Sequence, residues 1–204
     1  MADKKFLDSV YNLKSSTDSK LLYGDWSDSY DNEVGSEGYA TPGRIANALV
    51  QFTDRNASVL DYGCGTGLAG IALKESGFSN LTGWDITPEM LEKAKAKDIY
   101  TNTQVIAADT DLPDETSEFD VIVCCGVIGT GAAPPSVFDQ IMHAIKSGGL
   151  FCFSYNDHTL ADIRYTNRLT DWVDCGAASL LFQDHGPHLP GKDMESTIYV
   201  LRKT

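Results

Sequence analysis

Residues 59–67 read Val-Leu-Asp-Tyr-Gly-Cys-Gly-Thr-Gly. Two apolar β-formers lead into Asp61, and three glycines follow at alternate positions, Gly63, Gly65 and Gly67. The pattern predicts a buried strand that ends in a turn suited to glycine and then enters a helix. Bare backbone N–H groups at that helix start would let a ligand approach closely. A carboxylate two residues before the first glycine sits badly beside a pyrophosphate and well beside a cationic, amine-bearing ligand. Two more acids occupy comparable places. Asp85 ends a second apolar run and Asp109 follows a third. In open α/β sheets, ligands bind beyond the carboxyl ends of the strands, where the winding reverses. Asp85 could accept both hydroxyls of a ribose diol, or simply favour a helix N-terminus. Asp109 could accept from an adenine amino group, or simply form a turn.

Other side chains invite chemistry. His158 follows a fifth apolar run in Ser-Tyr-Asn-Asp-His and is the candidate general base; its bland alternative is a surface histidine at a helix start. His185 and His188 form His-Gly-Pro-His, without Cys or acid at ligand spacing, so no metal is expected. His143 lies in a helical pattern and reads as structural. Cys64, inside the glycine loop, could be taken for a nucleophile, but a structural role is the better reading. The five cysteines show no CxxC spacing, and Cys124 and Cys125 would point to opposite faces of one strand. Free thiols in a reducing cytoplasmic setting are expected.

These residues need a scaffold. The chain has 204 residues, enough for one α/β domain with an extension. Residues 1–41 read as the extension: Phe6, Val10 and Leu13 have helical spacing, and Leu21, Leu22, Tyr23, Trp26 and Tyr30 form an aromatic patch. Residues 42–204 read as the main domain, beginning with Pro42 and the Ile45, Leu49, Phe52 face. Strands are expected at 58–62, 81–86, 103–107, 119–125 and 150–155. Helices are expected at 68–76, from Pro88 onward, at 136–145 and over 160–173. Ser179–Phe182 and Thr197–Leu201 are candidate strands of a terminal hairpin, joined by a long loop with Gly186-Pro187 and Pro190-Gly191. Such alternation predicts a doubly wound parallel sheet with an antiparallel edge. Lys93, Lys95 and Lys97 read as a solvated helix face. The net charge of −13 argues against a nucleic-acid partner. No apolar run reaches the ~20 residues of a membrane span.

Taken as a series, the glycine loop, Gly-Trp-Asp-Ile-Thr-Pro-Glu-Met-Leu, Ala-Ala-Asp, Phe-Asp-Val-Ile-Val and Ile-Lys-Ser-Gly-Gly-Leu-Phe resemble a class I S-adenosylmethionine-dependent methyltransferase of the small-molecule type (methyltransferase domain 11/25-like). The resemblance covers about residues 40–155. It implies a Rossmann-like seven-stranded sheet with a reversed last strand, and S-adenosyl-L-methionine as cofactor. Asp61 would meet the methionine amino group, directly or through water. Gly63, Cys64, Gly65 and Gly67 would form the loop around the ligand. Asp85 would hold the ribose hydroxyls, Ile86 would pack on adenine, and Asp109 would meet the adenine amine with Thr110 or Leu112 nearby. Cys125 and Gly126 would line the methionine end. Trp26-Ser27-Asp28-Ser29-Tyr30-Asp31 resembles a lid, with Tyr30 closing over the cofactor or else packing as an ordinary helix aromatic.

The substrate side is less explicit. Val127-Ile128-Gly129-Thr130-Gly131-Ala132-Ala133 stands where many relatives carry polar or aromatic residues. The Asn/Asp-Pro-Pro-Tyr segment of base methylases is replaced by Cys-Cys-Gly-Val. A small-molecule acceptor with an oxygen or nitrogen nucleophile is expected; oligomeric state is not legible. Two alternatives stay open. One is a nicotinamide-dependent oxidoreductase, although Leu68 occupies the sixth position of GxGxxG. The other is a binding module that keeps the cofactor fold without turnover.

Overall fold

The computed structural model describes Phe6, residues 16–108 and residues 110–204. Val10, Leu13 and Asp109 lie outside the described residues. Strands β1 (Val59–Tyr62), β2 (Leu81–Asp85), β3 (Asn102–Val105), β4 (Val121–Cys124), β5 (Leu150–Asn156), β6 (Ala178–Leu189) and β7 (Met194–Lys203) form one sheet in the order β3-β2-β1-β4-β5-β7-β6. The first five run parallel, and β7 is antiparallel to both β5 and β6. Every residue of β1, β2 and β4 is buried, as expected where helices cover both sheet faces.

Side-chain alternation sorts the strands into two cores. Leu60, Ile122 and Phe153 face one side, where Phe138 of α6 (Ser136–Ala144) packs against Phe151 and Phe153 at 5.4 Å between ring centroids. Val59, Val121 and Val123 face the other side, under Ile45 and Leu49 of α3 (Thr41–Leu49) and Leu73 of α4 (Leu68–Glu75). Helix α5 (Pro88–Ala96) starts with Pro88, whose missing N–H costs nothing at that position.

Three expectations change. Gly186 and Pro187 are not loop residues but belong to β6, which extends to Leu189. Pro187 is tolerated there because β6 is the sheet edge, and the pairing slips between Pro187 and Leu189. The expected 160–173 helix is broken into α7 (Asp157–Leu160) and α8 (Ile163–Asp174). Asn156 and Asp162 cap them, accepting from the amides of Thr159 and Arg164. Lys93 and Lys97 are not merely a solvated face. Lys93 binds Asp28 at 2.6 Å, and Lys97 binds Asp31 at 2.5 Å and the Thr66 carbonyl at 2.7 Å.

Those pairs dock the N-terminal segment on the domain. Helices α1 (Ser16–Trp26) and α2 (Tyr30–Ser36) are joined by a turn and share a small aromatic core. Trp26 is buried there, stacks on Tyr23 at 5.7 Å and meets the Tyr30 ring edge-on at 4.7 Å.

Arg44 of α3 locks the hairpin in place. Its guanidinium donates to the carbonyls of Asp184, Gly186, Pro187 and Ser196, to the Ser196 hydroxyl and to the Asp184 carboxylate. Arg44→Ala would strand several of these acceptors, so urea denaturation should show a loss of about 2–3 kcal/mol; a change below about 0.5 kcal/mol would mean the network contributes nothing.

Candidate active site

The sheet order reverses between β1 and β4, and a cavity lies at the carboxyl ends of the central strands. Its volume is about 170 Å³. Tyr30, Gly63, Gly65, Asp85, Ile86, Thr110, Cys125 and Gly126 all line it.

The turn after β1 is bolted to β2. The amides of Gly63 and Cys64 both donate to the Trp84 carbonyl, at 2.7 and 3.0 Å. The Asp85 carboxylate then accepts from the Gly65 amide at 2.7 Å and from the Thr87 amide at 2.8 Å. Burial pushes the Asp85 carboxyl up from its ordinary value, and the amides of Thr87 and Gly65 pull it back. One carboxylate thereby joins the glycine turn to the start of α5 and still faces the cavity.

The three glycines have different duties. Gly63 has φ +71°, and a Cβ there would lie 2.6 Å from a Val127 methyl. Gly65 has φ +54°, and a Cβ there would meet open space. Gly67 does not line the cavity; it brings α4 against Ile99, whose Cδ1 would be 3.0 Å from an added Cβ. The expectation that all three make room for a ligand therefore changes for Gly67.

Asp61 sits beneath this turn and outside the lining residues. It is fully buried, and its Oδ2 accepts from the Tyr100 hydroxyl at 2.6 Å. Its Oδ1 is buried with no partner among the described residues. Burial pushes the carboxyl up to about 7; the Tyr100 hydrogen bond opposes this and nearby Asp85 adds to it. Cys64 is likewise buried off the cavity, and burial raises its thiol well above the ordinary value. That disfavours a thiolate nucleophile. Cys125 reaches the cavity with its thiol pushed up to about 12 by burial, its Sγ 3.5 Å from the Tyr39 hydroxyl. All five cysteines are free.

The fold does not bring His158 to the cavity. It is exposed on α7, and Asn156 beside it caps that helix. His185 sits on the edge strand, bonded to Thr197 and Glu195. Among the described residues no group of three His, Cys, Asp or Glu side chains could hold a metal. Several lining residues escaped the sequence reading: Ser19 and Tyr23 from α1, Met90 from α5, and Val137 and Gln140 from α6. Met90 was legible only as the apolar face of its helix and Tyr23 only as part of the aromatic patch, and nothing in the spacing marks Ser19, Val137 or Gln140.

The fit to a sulfonium nucleoside rests on two features of the chain. Asp85 presents a buried carboxylate to the cavity, and Asp61 keeps an orphaned oxygen under the glycine turn, where positive charge nearby would be stabilised. Residues 38–197 match the methyltransferase-domain family. The chain belongs to that family. Human methyltransferase-like protein 27 is 30% identical over 157 residues, covering 75% of this chain and 63% of that protein. A ubiquinone biosynthesis O-methyltransferase of Hydrogenovibrio crunogenus is 30% identical over 134 residues, covering 63% of this chain and 54% of the relative. The chain thus spans between about half and two-thirds of these curated relatives. The crystal structure of magnesium protoporphyrin IX methyltransferase from Synechocystis with bound S-adenosylmethionine superposes with a TM-score of 0.58 at 17% identity, covering 98% of this chain and 90% of that one. That superposition shows a shared fold.

The raised Asp61 carboxyl makes stability depend on pH. The folded chain holds that proton up to about pH 7, whereas the unfolded chain releases it near 3.8. The proton therefore stabilises the fold increasingly as pH falls from 7 to 3.8, and the Asp61 contribution worsens as pH rises between them. Asp61→Asn should gain on the wild type across that interval, by on the order of 3 kcal/mol at its upper end. Denaturation curves at several pH values would check this, and a pH-independent difference would contradict it.

Proposed function

We propose that this chain catalyses S-adenosylmethionine-dependent methyl transfer to a small molecule, at an oxygen or nitrogen nucleophile. The observation that carries the reading is the cavity at the reversal point, where Asp85, the glycine turn, Ile86 and Tyr30 come together beside a second, uncharged cavity. Asp85 would hold the ribose hydroxyls, with Ile86 and Met90 against the base and Thr110 at its rim. Gly65 leaves room for the ligand backbone-side, and Cys125 and Gly126 line the opposite end. Asp61 would act from beneath the turn, giving up its proton as a positively charged ligand group approaches. Tyr30, with α1 and α2, would serve as a lid over the ligand; the Asp28–Lys93 and Asp31–Lys97 pairs support that reading.

When bound, S-adenosylmethionine supplies an already activated methyl group. What remains for the protein is alignment and exclusion of water. The half-buried aromatic lid and the apolar Ile106, Val127 and Val137 walls suit that task. A chain with a net charge of −13 suits a small metabolite better than a nucleic acid. Among the described residues no helix is long and apolar enough to cross a membrane. Free cysteines fit a reducing, cytoplasmic setting.

Tryptophan fluorescence titration separates this reading from a nicotinamide enzyme: S-adenosylhomocysteine should saturate the signal and NAD should leave it unchanged. The reverse would end the proposal. Gly65→Ala should keep the sheet, since its methyl meets no protein atom, yet weaken S-adenosylhomocysteine by about tenfold or more. Asp85→Ala should also weaken it about tenfold or more, and should lower the melting temperature as well, because the Gly65 and Thr87 amides lose their acceptor. Unchanged dissociation constants in both variants would take the glycine turn and Asp85 out of the ligand site.

A further inference from the structure

A second cavity of about 60 Å³ abuts the first and shares Tyr23, Tyr30, Gly126 and Ala132 with it. Its walls are aromatic, with Tyr23, Trp26, Tyr30 and Tyr39 contributing rings. Among the described residues no Asp, Glu, Lys or Arg lines it. An ionised acceptor would be desolvated there without a counter-charge. A flat, neutral molecule suits these walls.

Two polar atoms stand out against that lining. The first belongs to His188, which is only 6% exposed. Its Nδ1 pairs with the Thr41 hydroxyl at 2.7 Å, and its ring meets Tyr39 edge-on at 5.2 Å. Its carbonyl accepts from the Ala40 amide at 2.9 Å. Thr41 in turn lies 3.2 Å from the Ser196 hydroxyl, which accepts from Arg44 at 3.1 Å. The imidazole is therefore held along one edge, and its Nε2 has no protein partner among the described residues. The second atom is Thr130 Oγ1, buried on the same cavity and without a partner among the described residues.

We propose that His188 is a catalytic residue, whose Nε2 takes the hydrogen bond and then the proton of a hydroxyl on a neutral, planar acceptor seated in this cavity, with Thr130 as a further polar contact. The proposal rests on the methyltransferase reading and names its acceptor class. An amine can carry its extra proton away after methylation, because the product is a stable ammonium ion. A hydroxyl cannot, since an oxygen bearing both hydrogen and a new carbon bond is strongly acidic. A base next to the acceptor is thus informative about which atom is methylated. The step balances as follows. An oxygen lone pair forms the C–O bond, the S–C bonding pair stays on sulfur as a neutral thioether, and the O–H proton moves to Nε2 and on to solvent. Burial pulls the imidazole pKa down to about 4, so the ring is uncharged at neutral pH and its lone pair is available. Weak basicity suffices, because the proton becomes acidic only as the C–O bond forms.

Catechol is the probe. Calorimetric titration into the S-adenosylhomocysteine-loaded protein should show binding to wild type and a loss of about tenfold or more in His188→Phe. His188→Gln, which can accept a hydrogen bond but not carry the proton, should keep catechol affinity within about threefold while methyl transfer to catechol falls about a hundredfold or more. In the apo wild type, the ¹⁵N spectrum should give His188 Nε2 a pyridine-type shift. Wild type that binds S-adenosylhomocysteine but ignores catechol overturns the proposal alone. So does a His188→Phe variant matching wild type in both binding and transfer, or a pyrrole-type Nε2 shift. Failure of wild type to bind S-adenosylhomocysteine would overturn the methyltransferase reading, and this proposal with it. Should His188→Phe not fold, the Gln variant and the ¹⁵N spectrum decide.

Discussion

The Asp85 carboxylate carries the architecture of this site. It closes β2, and each of its oxygens accepts one backbone amide, from Gly65 in the turn after β1 and from Thr87 at the start of α5. Both amides belong to chain segments that have just left regular structure and would otherwise lack partners. A hydrogen bond to a carboxylate is stronger than a neutral one, and burial heightens its effect. The cavity depends on this tie. Without it, neither the open face at Gly65 nor the first turn of α5, with Met90, has a fixed position. The same carboxylate faces the cavity, so the group that builds the wall is also the group offered to a ligand.

A second layer of constraint comes from charge. The chain carries many more acids than bases, yet its few bases are placed where they join segments. Lys93 and Lys97 hold the N-terminal helices over the cavity through Asp28 and Asp31. Arg44 gathers the carbonyls of the terminal hairpin. The two lysine pairs are partly exposed, so each contributes little to global stability. Their importance is positional: they bring Tyr23, Trp26 and Tyr30 to a place where both cavities share their rings. Arg44 acts at longer reach, since the hairpin it holds delivers His188 to the second cavity.

Much of the fold was legible because its signals are local. Apolar runs of strand length, Pro88 after Thr87, and the glycines after Asp61 each specify backbone conformation over a few residues. The errors came from contacts distant in sequence. Gly186-Pro187 reads as a turn until the Arg44 guanidinium and the edge position of β6 are known. Lys93 and Lys97 read as solvated until Asp28 and Asp31 arrive from about 65 residues away. The candidate base illustrates the same point. His158 follows a strand end, and that local signal is real, but on α7 it is exposed. His188 carried only a weak motif, and its burial depends on α3, the hairpin and Tyr39 meeting.

The residues that could recognise a cofactor were written in the linear chain: the glycine turn, the acid at the end of β2 and the aromatic N-terminal segment. Their spacing reflects short-range rules, because a strand, a tight turn and a helix start each span only a few residues. Tertiary structure alone decided which groups share a cavity and which lie behind its wall. It put Asp61 beneath the turn against Tyr100, kept Gly67 off the lining of the first cavity, and set His188 beside Tyr39 on the wall of the second. Burial and proton affinity are properties of what packs around a group, and that packing is assembled from segments far apart in the chain.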